Sequence, residues 1–96
     1  MDKIEKALEL IKTAVIEIDQ ELARCRSGSG AMATLEDQLA LAREELLKME
    51  TAISNGSLPP REERDRFLGH MIVDSWPINS SPRGVVLSAL GAFERL

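Results

Sequence analysis

Few residues in this chain combine a reactive type with a spacing that chemistry could use. Glu62 and Asp65 stand one helical turn apart, where two carboxylates could face one divalent cation. His70 is the only histidine; Asp74 lies within i,i+4 reach, but no second His and no nearby Cys completes a zinc set. Cys25 is the only cysteine, which excludes an internal disulfide. Its place on an apolar row favours a small buried hydrophobe over a reactive thiol. Ser75, Ser80, Ser81 and Ser88 lack a Gly-x-Ser-x-Gly setting, and Gly84 and Gly91 lack the Gly-x-x-x-x-Gly-Lys of a phosphate loop.

The Glu62/Asp65 pair carries the one enzymatic expectation. All-helical, magnesium-dependent nucleotide pyrophosphatases hold their metal with such a pair and a Glu-x-x-Glu on a neighbouring helix. Here the second helix offers Glu44, Glu45 and Glu50, which have the wrong spacing. Acids in the first turn of a helix are stabilised by its dipole, a sufficient reason for Glu62, Glu63 and Asp65. The di-iron Glu-x-x-His pattern is absent, because Phe67 stands where its Glu would be. An oligomeric magnesium enzyme of the pyrophosphatase type is therefore the alternative expectation. The leading one is a protein with no catalytic residue, metal, cofactor or small-molecule substrate.

Composition narrows the classes further. The chain has 96 residues, enough for one domain, with 44% hydrophobic and 29% charged residues. Aromatics make up only 3%, so a core must come from Leu, Ile, Val, Met and Ala, which favours helices over a sheet sandwich. A net charge of -4 with interleaved signs argues against nucleic acid as a partner. Arg61, Arg64, Arg66 and Arg83 near one end leave a nucleic-acid regulator as a weaker reading. No apolar run approaches the length that spans a bilayer, and Met1-Asp2-Lys3 opens a helix instead of a signal peptide, so no membrane partner is expected. A cytoplasmic location follows as the expectation.

The elements that must position these residues are legible in apolar periodicity. Ile4, Leu8, Ile11, Val15, Ile18, Leu22 and Cys25 alternate steps of four and three, and Met32, Leu35, Leu39, Ala42, Leu46, Met49 and Ile53 do the same. Between them Ser27-Gly28-Ser29-Gly30 interrupts the helix, which predicts an antiparallel hairpin over residues 1–55. Ser27 to Met32 also has the composition of an engineered linker, in which case the first arm is a separate segment joined to the rest. Thr34 and Asp37 form a candidate capping box, and Asn55-Gly56 a stop.

Residues 59–96 read as a pair of shorter helices. The first follows Pro59-Pro60, carries Phe67, Leu68, Met71, Ile72 and Trp76 on its apolar stripe, and ends at Pro77; Gly69 weakens it off that stripe. Trp76 is expected to anchor this helix in the core. The second starts at Ser81-Pro82 and carries Val85, Val86, Ala89, Leu90, Phe93 and Leu96. The predicted fold is all-α: a long helical hairpin with two shorter C-terminal helices packed on it, resembling a four-helix bundle.

A turn near Gly28 makes residues whose numbers sum to about 57 level across the hairpin, pairing Leu10 with Leu47 and Ile16 with Leu41. Following the heptad, Ile16 and Ala23 share one side with Ala33, Ala40 and Leu47, and Ala7, Leu10 and Ala14 share the other with Leu41 and Ala52. The short helices are too short to cover both sides along their whole length. The expected function is a non-enzymatic protein-protein interaction module of the adaptor, co-chaperone, antitoxin or inhibitor type. Leu10, Ala14, Leu41 and Ala52 are the candidate partner-binding residues, facing a second copy in a homodimer or another protein.

Overall fold

A computed structural model of the chain describes residues 2–28, 35–58, 67–78 and 80–96. Among them are four helices and no strand: α1 (Lys3–Arg26), α2 (Glu36–Asn55), α3 (Phe67–Ser75) and α4 (Ser81–Glu94). The predicted all-α architecture is present, two long helices packed with two shorter ones. Residues 29–34, with the linker reading and the Thr34 cap, lie outside the described residues, as do Pro59, Pro60 and the Glu62/Asp65 pair.

Local chemistry sets the helix ends. The Asp2 carboxylate accepts from the Ile4 backbone N–H at 2.7 Å, using one of the donors that the first turn leaves unpaired. Leu35 occupies the N-cap of α2, with no side-chain cap bond. At the other end Gly56 adopts φ 67°, and its N–H and that of Ser57 return to the carbonyls of Ile53 and Ala52. That left-handed geometry is inexpensive only for glycine. Helix α4 starts one residue earlier than its Ser81-Pro82 signal suggests: Ser80 is the N-cap. The Ser80 hydroxyl donates to the Pro77 carbonyl at 2.8 Å instead of capping the helix.

The four helices run alternately up and down. Asp19 meets Arg43 at 2.6 Å and Arg26 meets Glu36 at 3.6 Å, so α2 descends beside α1. Lys3 and Lys6 share a recess with Ala92 and Arg95, which sets α4 antiparallel to α1. Gly69 lies against Leu90, which folds α3 back on α4. The start of α2 and the end of α3 are tied by Trp76, whose Nε1–H donates to Gln38 Oε1 at 2.9 Å. Trp76 is buried, so the one polar group on its ring is satisfied where water does not reach.

Two details of the predicted hairpin change. Both cross-hairpin ion pairs have residue numbers summing to 62, so Leu10 is level with Ala52 and not with Leu47, and Ile16 is level with Leu46 and not with Leu41. The offset exceeds the one a turn at Gly28 would give, since α1 continues to Arg26 and α2 begins only at Glu36. The core row of α1 is also rotated. Ala7 and Ala14 are fully buried with Ile11 and Ile18, Leu8 and Val15 are partly buried, and Ile4 is exposed. In α2 the expected row Leu39, Ala42, Leu46, Met49 and Ile53 is the buried one.

The rotation has a packing cause. A helix lying between two neighbours must bury a wide sector, and α1 packs against both α2 and α4. Alanines on the α4 side shorten the distance at which the two helices can meet, and Val86 and Ala89 of α4 are fully buried there. Each fully buried Leu or Ile in this cluster contributes about 1.5 to 3 kcal/mol.

Candidate interaction surface

With α4 over the Ala7 and Ala14 side, the opposite side of the hairpin is open. Ile16 on α1 is 56% exposed, Leu47 on α2 is 37% exposed, and Ala23 and Ala40 beside them are exposed too. Between the helices on this side runs a charge ladder. Arg26 to Glu36 and Asp19 to Arg43 are two rungs, and Lys12 and Glu50 fall on the next rung of the same register. Both ion-paired rungs are solvent-exposed, so each is worth only about 0.2 to 1 kcal/mol, but opposite charges at every level disfavour slippage.

The four predicted partner-binding residues do not form one surface. Ala14 has no exposed surface and belongs to the core, and Leu10 is partly buried against that core. Both were expected outside because the side that α4 takes is not marked by the heptad alone. Leu41 remains 37% exposed, and Ala52 is half-buried at the edge of a shallow groove with Glu44, Leu47, Lys48 and Thr51. The apolar strip therefore lies on the outer face of α2 and the Ile16 side of α1. The pairing of Ile16 and Ala23 with Ala40 and Leu47 was readable from the heptad. The signal that this side stays open was the alanine pair Ala7 and Ala14, which marks where α4 can approach closely.

Other candidate groups have structural explanations. Glu21, a carboxylate off the predicted apolar row of α1, is only 3% exposed. The rotation of α1 brings it into the buried row with Ala7 and Ala14, and its Oε2 accepts from Arg24 Nε at 2.8 Å with Arg24 Nη2 at 2.6 Å. Cys25 is buried, and burial, helped by the carboxylates of Glu21 and Glu36 and opposed by Arg24, pushes its thiol above the ordinary range. A thiol so placed is a poor nucleophile. His70 and Asp74 are both exposed, and no hydrogen bond or ion pair joins them. Lys3, Lys6 and Arg95 gather where α4 presents its carbonyl end, which has no basic residue in its own last turn. Cations there are favoured by the helix dipole.

No group of three or more His, Cys, Asp or Glu is placed to hold a metal ion among the described residues, and no described helix is long and apolar enough to cross a membrane. Arg61, Arg64 and Arg66 lie outside the described residues, while Arg83 is half-buried. No known protein family matches the chain, and no curated protein or solved structure is significantly similar to it.

Proposed function

We propose that this chain is a non-enzymatic helical interaction module of the adaptor, co-chaperone, antitoxin or inhibitor type, working in the cytoplasm through the open side of its hairpin. The observation that carries this reading is the strip of Ile16, Ala23, Ala40 and Leu47, held on rigid helices and left without a cover by α3 and α4. Isolated exposed apolar residues are ordinary, but four on adjacent helices facing one direction make a surface that binding can desolvate. The ladder of ion pairs holds the two helices in one register, so the strip is preorganised and little ordering entropy is lost on docking.

The test compares immobilised full-length chain with the Ile16→Asp/Leu47→Asp double variant, after circular dichroism has established equal helicity. A host protein retained by the first and lost by the second, then rebound in purified form, supports the proposal. Equal retention by both chains contradicts it. A melting temperature that rises with added magnesium would instead favour the oligomeric pyrophosphatase-type enzyme.

A further inference from the structure

Building on that interaction surface, we propose that its occupant is a second copy of this chain, packed on the open side about a two-fold axis at the level of the Asp19–Arg43 ion pair. Helix α1 then lies antiparallel to the partner's α1, and α2 antiparallel to the partner's α2.

The placement of large and small side chains carries the inference. On α1, Ile16 and Ala23 are one heptad apart, and on α2, Leu47 and Ala40 are one heptad apart in the opposite chain direction. Each helix thus presents a large side chain toward one end of the strip and a small one about 10 Å away toward the other. A two-fold axis perpendicular to the helices exchanges the ends. It seats Ile16 over the partner's Ala23 and Leu47 over the partner's Ala40, four large-on-small contacts in all.

The two helices agree on where that axis lies. The midpoint between Ile16 and Ala23 falls beside Asp19, and the midpoint between Ala40 and Leu47 falls beside Arg43. Asp19 and Arg43 are the residues joined across the hairpin at 2.6 Å, so one axis serves both helices. An axis running along the helices would instead oppose Ile16 to the partner's Leu47 and leave the alanines facing a gap.

Size fits the same arrangement. The molecule measures 39 × 22 × 19 Å, so one long side offers a footprint on the order of the ~800 Å² per partner of a standard interface. Only two large apolar side chains per copy are covered, which points to a dimer with a dissociation constant on the order of micromolar.

The test uses full-length chain in a Cys25→Ala background. Sedimentation equilibrium from about 1 to 200 μM should show a monomer-dimer equilibrium, weakened at least tenfold by Ile16→Lys or Leu47→Lys with unchanged circular dichroism. Mixing Ile16→Cys chain with Ala23→Cys chain under mild oxidation should give the mixed disulfide in excess over either self-linked product, because like positions lie too far apart to bridge. A mass of 10.6 kDa at every concentration would overturn the dimer, and the capture comparison above then decides whether the strip serves a different partner. A dimer in which Ile16→Cys chains link to themselves as readily as to Ala23→Cys would overturn this axis.

Discussion

Asp19 on α1 and Arg43 on α2 meet at 2.6 Å across the hairpin, and with Arg26 and Glu36 they set the register in which the two long helices pair. The pair is solvent-exposed, so its contribution to stability is small, and opposite charges at this level favour one register over a slipped one. In a double-mutant cycle of Asp19→Ala and Arg43→Ala, urea unfolding should give a coupling energy of about 0.2 to 1 kcal/mol. Exchanging the two, Asp19→Arg with Arg43→Asp, should recover most of what either reversal alone loses. Zero coupling together with no recovery would mean that the helices pair in another register.

The glycines separate by backbone geometry. Gly56 sits at φ 67°, so Gly56→Ala should lower stability by about 1 to 2 kcal/mol although nothing lies near its added methyl. Gly69 is inside α3, and an added Cβ would meet only Leu90 Cδ1 at 4.0 Å, an ordinary contact. Gly69→Ala should therefore raise stability by up to about 1 kcal/mol. Chemical denaturation of the two variants checks both signs at once, and a destabilising Gly69→Ala would show that α3 needs a closer approach there than the structure has.

How much of this was legible in the sequence depends on whether a signal was local. The seam of α2, the stop at Gly56 and the anchoring role of Trp76 follow from periodicity, backbone preference and the need to bury an indole. The register is legible in the charges and not in the glycines of the turn. The three opposite-charge pairs, Arg26 with Glu36, Asp19 with Arg43 and Lys12 with Glu50, already agree on one offset. Which side α4 takes is a tertiary choice between two apolar faces of α1. By size alone Leu10 suits an exposed strip, but the small Ala7 and Ala14 beside it let a helix approach and cover that side. The burial of Glu21 depends on the same choice: off the predicted apolar row it reads as solvent-facing, and only the rotation of α1 turns it inward beside Arg24.

Cys25 gives a pH dependence with a definite sign. Its thiol is raised in the folded chain, first by burial and then by Glu21 and Glu36, so between the unfolded and folded values the folded state holds the proton and the unfolded state has lost it. Stability from this residue is fully present below the ordinary thiol range, about pH 8.5, and falls as pH rises through the folded value. Urea midpoints measured from pH 7 to 10 should decline more steeply for the natural chain than for Cys25→Ala. Parallel slopes would show that Cys25 titrates alike in both states.

Helix α4 packs on one side of α1, and Ala14 and Ile16 lie on opposite sides of α1. Ala14 is fully buried on the side α4 covers, whereas Ile16 is 56% exposed on the side left open. Thermal melts of Ala14→Asp and Ile16→Asp, recorded by circular dichroism at low micromolar concentration, compare the two directly. Ala14→Asp should be severely destabilised, by about 3 kcal/mol or more, because an unpaired carboxylate is forced into the core. Ile16→Asp should melt within about 0.5 kcal/mol of the natural chain. The reverse order, Ile16→Asp unfolded and Ala14→Asp unchanged, would place α4 on the other side of the hairpin and remove the strip on which the proposed function rests.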